Sequence, residues 1–324
     1  MRQGLSLGAS GVGFYGSDIG GFFSVSCPPA GPELLCRWVE LGAFSGVMRT
    51  ESQGWTAPWW EWLGFKRSQV WDPEVLPVWR RYSKLRTQMY PYLDAAGRAY
   101  VERGVPLMAD VRLIYPDENA SWSGRVRYMF GPDILVVPIL EEGGRETEAP
   151  LPGGTWRSLW QAVRYDVADG SFHLAAASPL AGGSTVTVGA PLDEIPAFVR
   201  GGSLLPLLTP DVDTLAEYGG GPGLVRLCDR ADRLRLLAWP EGISTVEALG
   251  VKIRSNLTGD TWRLRLTGKP LQSLEIEAQV PGTPLAVLWN GQPLDPGAWT
   301  YAEGVLSLPV EGSGTLVVGL EPAR

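Results

Sequence analysis

The sequence predicts an α/β segment followed by an all-β remainder. A strand, a helix and a second strand follow one another within residues 11–51, and beyond about residue 105 the apolar residues recur in short alternating runs. Glycine, proline and aspartate separate those runs, which is typical of antiparallel sandwiches. The predicted domains are therefore residues 1–105, 106–208 and 209–324.

The first predicted strand ends at a carboxylate flanked by glycines. This carboxylate is Asp18, in the stretch GVGFYGSDIGGF. Residues 32–41, PELLCRWVEL, have helical spacing of apolar residues with proline at the start. A second strand end follows in GAFSGVMRTE, which contains Arg49 and Glu51. Parallel strands joined in this way open into a pocket at their carboxyl ends, as in barrel-type βαβ units.

A longer helix is predicted over residues 73–103, because apolar side chains recur on one face. Gly104 and Pro106 end it. A closed (β/α)8 barrel needs about 250 residues and eight strands. The segment before residue 106 therefore has room for two βα units only.

The predicted strands beyond residue 105 are Val111–Tyr115, Ile134–Val137, Thr185–Val188, Ala197–Val199, Leu204–Leu205, Leu224–Leu227, Leu234–Leu237, Trp262–Leu266, Leu274–Glu277 and Thr315–Val318. The dipeptide Asn290-Gly291 predicts a tight turn between two further strands.

Composition and charge narrow the choice of partners. A net charge of −7 argues against nucleic acid and anionic membranes, which both require a basic face. The 14 tryptophans are more often core residues in such folds, although exposed indole rings stack well on sugars. Three cysteines without a CxxC pair favour a reducing compartment, and the amino terminus lacks a secretory pattern, so we expect a cytoplasmic chain.

Six motifs together resemble the carboxyl-terminal part of glycoside hydrolase family 31, the α-glucosidase and α-xylosidase family. They occur in the family's order across residues 5–208, and they are GSDIGGF, RWVELGAFSGVMRT, LRTQMYPYL, YMFGPDILVVPIL, LPGGTW and PLDEIPAFVRGGSLLPL. The resemblance implies the last two βα units of a (β/α)8 barrel followed by two antiparallel β-sandwich domains. It also implies hydrolysis of an α-linked oligosaccharide or glycoside, with neither a metal nor an organic cofactor.

The resemblance assigns substrate-binding residues. Asp18 matches the family aspartate that contacts sugar hydroxyls, and Arg49 matches the arginine of the family's R-x-H motif. Trp38 and Phe44 match aromatic neighbours of that motif. Glu51 occupies the position where the family usually has a sugar-binding histidine, and a carboxylate accepts hydrogen bonds where imidazole can donate one.

The same resemblance predicts that the chain is incomplete as a catalyst. In relatives the nucleophile and the acid/base aspartates lie on earlier strands, upstream of anything that matches Met1. The chain is therefore expected to be inactive alone, and an upstream polypeptide is the expected partner. The alternative is a catalytically inactive carbohydrate-binding or scaffold protein made of the two sandwiches.

Four other patterns suggest different functions, and each is disfavoured. Asp18 and Glu51 by themselves resemble a pair of glycosidase carboxylates, but the family comparison decides against that pair. The GVGFYG stretch fits G-x-G-x-x-G but does not open a helix, so dinucleotide binding is disfavoured. The single histidine, His173, is expected to be structural or exposed. The pair Asp211 and Asp213 is too sparse for a calcium loop.

Overall fold

The computed structural model describes residues 1–50, 55–117 and 126–322. The chain folds as two compact units, each assembled from several stretches of sequence. The first unit comprises Met1–Arg86, Ala99–Gly153 and Ala181–Phe198, and the second comprises Thr87–Arg98, Gly154–Leu180 and Val199–Arg324. Among the described residues, no helix combines the length and the apolar composition needed to cross a membrane.

The elements follow in chain order. The α-helices of the described residues are α1 Arg2–Ala9, α2 Pro32–Ala43, α3 Pro58–Trp62, α4 Leu76–Gln88, α5 Tyr90–Arg103, α6 Val111–Ile114 and α7 Leu159–Ala162. The strands up to residue 200 are β1 Gly16–Ile19, β2 Val47–Thr50, β3 Met108–Ala109, β4 Tyr128–Phe130, β5 Ile134–Val136, β6 Glu146–Pro150, β7 Thr155–Ser158, β8 Val163–Tyr165, β9 Phe172–Leu174, β10 Leu180–Ala181, β11 Thr185–Gly189 and β12 Ala197–Arg200. The later strands are β13 Leu204–Leu208, β14 Arg233–Ala238, β15 Ile243–Ala248, β16 Val251–Thr258, β17 Thr261–Gly268, β18 Ser273–Gln279, β19 Pro284–Trp289, β20 Gln292–Pro293, β21 Thr300–Ala302, β22 Val305–Val310 and β23 Gly314–Leu320.

The predicted strand, helix and strand are present as β1, α2 and β2. The two strands pair in parallel, with Gly16 opposite Val47 and Asp18 opposite Arg49. Pro32 is the first residue of α2, where its missing N–H leaves no helical hydrogen bond unmade. The helices α1 and α3 were not predicted.

The predicted single helix over residues 73–103 is wrong, because the structure has two helices. The first, α4, ends at Gln88, and α5 begins at Tyr90. Pro91 explains the break: it has no N–H to donate to the carbonyl four residues earlier, and it disfavours helical backbone in the residue before it.

Two predicted strands are also wrong. The segment Val111–Tyr115 contains the short helix α6, which Asp110 caps by accepting a hydrogen bond from the Arg112 amide at 3.0 Å. The segment Leu224–Leu227 leads into a 3₁₀ helix at Leu227–Asp229, where the Asp229 carboxylate accepts from the backbone N–H of Arg226 at 3.0 Å. In both cases a side chain satisfies the orphan N–H groups of a helix start, which alternation of apolar residues cannot reveal.

The second unit contains a two-sheet sandwich. One sheet has the order β13-β14-β18-β22-β21 and the other β15-β16-β17-β23-β19-β20, and both bury side chains in one core that includes Leu236, Trp262 and Leu316. The prediction of wholly antiparallel sheets needs one correction, because β14 and β18 pair in parallel. The predicted Asn290-Gly291 turn is confirmed: it joins β19 to β20, and both residues have positive φ, 53° and 80°.

His173 on β9 belongs to a charged cluster in the second unit. Its Nδ1 lies 2.8 Å from Glu277 Oε1, and its Nε2 lies 2.8 Å from Ser171 Oγ. Ser171 donates its own hydroxyl proton to Asp169 at 2.6 Å, so Nε2 is the donor toward Ser171. Nδ1 lies between Glu277 Oε1 and the Arg235 guanidinium, whose Nη2 is 3.0 Å away. The pKa of His173 is raised, chiefly by the hydrogen bond to Glu277, while the charge of Arg235 opposes that shift.

The raised pKa of His173 can be measured directly, because the chain contains one histidine, whose imidazole Hε1 gives a single NMR signal. We expect that signal to titrate above the usual value of about 6.5, and Glu277→Gln to lower the pKa. The stabilisation by His173 is accordingly full below about pH 6.5 and disappears as the pH rises through the folded-state pKa.

The control for this titration is Glu275→Gln on the same strand, where the carboxylate is 59% exposed and contacts Arg235 at 3.2 Å. It should change the imidazole pKa far less than Glu277→Gln does. An imidazole that titrates at or below about 6.5 in the wild-type chain would contradict the stabilisation of protonated His173 by Glu277.

Candidate functional site

A half-buried arginine fixes the turn between α2 and β2. Arg86 on α4 donates through Nη1 to the carbonyls of Ala43 and Ser45, at 3.1 and 2.6 Å, and through Nη2 to the carbonyl of Gly46, at 2.9 Å. Burial lowers the pKa of Arg86 to about 10, so the guanidinium stays charged at neutral pH. These carbonyls lie just past the end of α2, where a cation is also favoured by the helix dipole.

Phe44 anchors the same turn from inside the core. Its ring is fully buried and packs edge-on against Phe130 and Tyr82, with centroid distances of 5.5 and 6.4 Å. Its carbonyl accepts a hydrogen bond from the Tyr128 hydroxyl at 2.7 Å. The structure therefore places this predicted substrate-binding residue beneath the turn.

Gly46, just before β2, lies against Tyr15, just before β1, and sets the distance between the amino-terminal ends of the two strands. Its N–H donates to the carbonyl of Tyr15 at 2.7 Å. A Cβ atom at position 46 would lie 2.5 Å from the backbone nitrogen of Tyr15 and 2.7 Å from its carbonyl oxygen. Because both obstacles are backbone atoms, glycine is required for this close approach.

The parallel register places the two predicted polar residues side by side. Asp18 on β1 lies opposite Arg49 on β2, and Arg49 Nε contacts Asp18 Oδ1 at 3.2 Å. The two side chains are 40% and 60% exposed. An ion pair this open contributes about 0–1 kcal/mol to folding, so its main consequence is positional. It presents an oriented carboxylate beside a guanidinium to solvent.

Trp38 connects α2 to β1 beside this pair. Its Nε1 donates to Ser17 Oγ at 2.8 Å. The chain then turns away from β1 through Gly20 and Gly21, whose φ angles of 86° and 73° are in the left-handed region. Arg67 donates to the carbonyl of Gly21 and holds this turn.

Glu51, the remaining predicted substrate-binding residue, lies outside the described residues. Within them the structure therefore brings Asp18, Arg49 and Trp38 together at one end of the strand pair. The supporting residues Arg86, Tyr128 and Arg67 were not identified from the sequence. They act over long sequence separations, and no local spacing pattern marks them.

Exposed aromatic side chains follow β1. Phe22 and Phe23 contact each other with ring centroids 4.2 Å apart, and Phe23 contacts Trp55 at 6.3 Å. These three rings, with Trp59 and Trp62 on α3, are each at least 48% exposed. We name Phe22, Phe23, Trp55, Trp59 and Trp62 the aromatic surface.

The chemistry available at the strand ends is hydrogen bonding. A carboxylate accepts two hydrogen bonds from neighbouring hydroxyls, and a guanidinium donates to oxygens in a fixed fork. Among the described residues no group of three or more histidine, cysteine, aspartate or glutamate side chains is placed to hold a metal ion.

The family models decide the identity. Residues 1–96 match the model of the glycosyl hydrolase family 31 TIM-barrel domain, and residues 104–205 match the model of that family's C-terminal domain. The chain belongs to glycosyl hydrolase family 31.

Curated relatives within glycosyl hydrolase family 31 are longer than this chain. The sulfoquinovosidase of Escherichia coli is 30% identical over 199 residues, which are 61% of this chain and 26% of that enzyme. The lysosomal alpha-glucosidase of Mus musculus is 29% identical over 329 residues, which are 94% of this chain and 32% of that enzyme. The chain thus spans roughly a quarter to a third of their length.

A solved structure supports the fold over nearly the whole chain. The cycloalternan-forming enzyme from Listeria monocytogenes, in complex with a pentasaccharide substrate, superposes with a TM-score of 0.74 and 22% identity. The match covers 98% of this chain and 30% of that enzyme. At this identity the likeness concerns the fold alone.

The close approach at Gly46 generates a prediction about stability. Gly46→Ala should lower the free energy of unfolding by about 1–3 kcal/mol, because the added methyl group collides with the backbone of Tyr15. The control is Gly189→Ala at the end of β11, where an added Cβ meets nothing within 4 Å. The control should change stability by less than about 0.5 kcal/mol in urea unfolding. Equal effects of the two substitutions would contradict the strand geometry described above.

Proposed function

We propose that this chain is the carboxyl-terminal portion of a retaining α-glycosidase, and that Asp18 and Arg49 bind the sugar at the −1 subsite. The observation that carries the proposal is their position: they are register partners at the carboxyl end of a parallel strand pair, ion-paired and open to solvent. Substrates bind at this end of parallel strands in α/β barrels.

The two side chains have complementary roles in this proposal. Asp18 accepts hydrogen bonds from two sugar hydroxyls, and Arg49 orients the carboxylate and donates to a sugar oxygen. Trp38 limits the site on the α2 side through its hydrogen bond to Ser17. For Phe44 we propose support of the turn rather than sugar contact, because its ring is buried. Glu51, which lies outside the described residues, is proposed to take part in sugar binding at the position of the family's histidine.

Hydrolysis with retention requires a nucleophile and an acid/base carboxylate about 5–5.5 Å apart. We assign neither role to Asp18 or Glu51, and propose that both catalytic aspartates come from strands outside this chain. The short span relative to the full-length enzymes supports this assignment. On this proposal the chain alone does not hydrolyse glycosides.

The strand pair itself supports the need for further strands. Parallel sheets are normally covered on both faces and continued by neighbours, whereas β1 and β2 form a two-stranded sheet among the described residues. Phe14, just before β1, and Val47, on β2, are more than 40% exposed. We propose that β1 and β2 are the last two strands of a (β/α)8 barrel, which an upstream polypeptide completes.

The remaining architecture follows the same proposal. We propose a barrel segment over residues 1–105 and sandwich domains over 106–208 and 209–324, and the two family models support the first boundary. The second boundary needs to precede β13, because β13 pairs with β14 in the later sandwich. We propose the cytoplasm as the location, because Cys27, Cys36 and Cys228 are free thiols.

The aromatic surface favours a second candidate function. Five exposed aromatic rings provide stacking faces for sugars without requiring catalysis. In this candidate the chain is a catalytically inactive carbohydrate-binding or scaffold protein.

Hydrolysis of p-nitrophenyl α-glucoside and α-xyloside distinguishes the candidates. The chain alone should not hydrolyse either substrate. It should hydrolyse them when it is mixed with a polypeptide that supplies the barrel strands preceding GSDIGGF in a family relative. Turnover by the chain alone would contradict the assignment of the catalytic aspartates to other strands. Silence in the mixture, together with sugar binding that is lost when Trp55 is replaced by alanine, would favour the carbohydrate-binding candidate.

A further inference from the structure

One face of the second unit's sandwich carries a group of cations. On β16 and β17 the side chains alternate between the core and solvent, so that Ile253 and Leu264 are buried while Lys252, Arg254, Arg263 and Arg265 are exposed. We name these four exposed residues the basic face. All four point away from the core and therefore lie on the same side of the sheet.

The strand register brings like charges into contact distance. Arg254 lies directly opposite Arg265 on the neighbouring strand. Opposed Cβ atoms in such a pair are about 4.5–5.5 Å apart, and like charges placed this way destabilise the sheet. Along each strand the next cation follows two residues on, about 7 Å away. Folding alone gives no reason for this arrangement.

Neighbouring carboxylates do not neutralise the basic face. Within residues 1–50, 55–117 and 126–322, none of the four cations forms an ion pair or a side-chain hydrogen bond. Glu247 on β15 is the register partner of Lys252 at one end of the face, but the central arginines lie opposite each other. The chain as a whole carries −7, so the positive charge is a local feature.

Short polar side chains frame the arginines. Thr245 lies opposite Arg254 on the β15 side, and Thr315 lies opposite Arg265 on the β23 side. Asn256 is the register partner of Arg263. These hydroxyl and amide groups both donate and accept hydrogen bonds, as polyhydroxylated ligands require. The β16 and β17 positions of this face contain no aromatic ring for stacking a neutral sugar.

We propose that the basic face binds an anionic polysaccharide, whose carboxylate or sulfate groups pair with Arg254, Arg263 and Arg265. Guanidinium groups bind such oxyanions in a bidentate way, and the sheet holds them at fixed spacing. The choice of a polysaccharide rests on the proposed function, since a glycoside-processing chain gains from a second carbohydrate contact. The choice of an anionic ligand rests on the basic face alone.

Double-stranded nucleic acid fits this surface less well. It carries one charge per about 1.7 Å of helix axis and binds through many phosphate contacts. Four cations on a chain of net charge −7 would leave most of those phosphates facing negative charge. A polysaccharide with one charge per sugar, or fewer, matches the number and spacing of the arginines, and its free hydroxyls match Thr245, Thr315 and Asn256.

Binding of the full chain to three polymers tests the proposal. Lightly substituted dextran sulfate, with one sulfate per sugar or fewer, and polygalacturonate represent sulfate and carboxylate chemistry, and uncharged dextran is the control for the dextran backbone. We expect at least one charged polymer to bind more tightly than dextran, and binding to weaken as salt rises. Which charged polymer binds more tightly identifies the anionic group. Equal binding of charged and neutral polymers would overturn the proposal.

Paired substitutions locate the site. Arg254→Gln with Arg265→Gln should weaken binding of the charged polymer at least tenfold. Arg103→Gln with Arg164→Gln removes the same charge from exposed positions elsewhere and should change binding less than twofold. Equal weakening by the two double variants would overturn the proposal. The proposal would also be overturned if duplex DNA bound as tightly as the polymer and only Arg254→Gln with Arg265→Gln abolished that binding.

Two further measurements show whether a loss of polymer binding comes from unfolding or from the glycoside site and not from the basic face. Removing the opposed arginines relieves repulsion, so the first double variant should unfold at the same or a higher temperature than the wild type. If it unfolds at a lower temperature, Arg263→Gln decides, because it leaves the opposed arginine pair intact. This variant should weaken binding at least threefold, and unchanged binding would overturn the proposal. Asp18→Asn should leave polymer binding unchanged, so failure at the basic face and failure of the glycoside site remain distinguishable.

Discussion

The structure of the first unit depends on how closely β1 and β2 approach each other at their amino-terminal ends. The Gly46 amide donates to the Tyr15 carbonyl, and no side chain fits between the two backbones there. This contact fixes the parallel register, and the register places Asp18 opposite Arg49. The position of the candidate sugar-binding carboxylate therefore follows from a backbone constraint at the other end of the strands, so a substitution outside the site can displace it.

Buried charge stabilises this arrangement from the side of the helices. Arg86 satisfies three carbonyls at the end of α2, and Arg37 within α2 donates to the carbonyls of Gly144 and Ala190 at 3.0 and 2.6 Å. Burial raises the pKa of Glu40, the carboxylate partner of Arg37, to about 8. Arg37 also donates to Glu40 at 3.1 Å and to the Pro191 carbonyl at 2.9 Å, so its removal would leave several buried acceptors without a donor. The first unit is thus held by buried polar groups as well as by apolar packing.

The sequence was sufficient for features that depend on local pattern. Alternation located β17 and β18, the helical period located α2, and the Asn290-Gly291 pair located a turn with two positive φ angles. The sequence-based prediction was wrong where a single side chain decides the local structure. Asp110 caps α6 inside an apolar run that predicts a strand, and Pro91 divides α4 from α5. The motifs predicted Asp18 and Arg49 as site residues, and that role stays a prediction, although the register makes them neighbours. The burial of Phe44 and the hydrogen bonds from Arg86 arise from contacts far apart in sequence. The opposed arginines of β16 and β17 became visible only with the register.

The most direct test of the central claim is sugar binding at Asp18. Saturation-transfer NMR with methyl α-glucoside and methyl α-xyloside at millimolar concentration would compare the wild type, Asp18→Asn and the exposed control Glu142→Gln. Loss of charge-assisted hydrogen bonds worth about 1.5–3 kcal/mol predicts at least tenfold weaker binding for Asp18→Asn, and wild-type binding for the control. Binding that survives Asp18→Asn unchanged would contradict the assignment of this carboxylate to the sugar site.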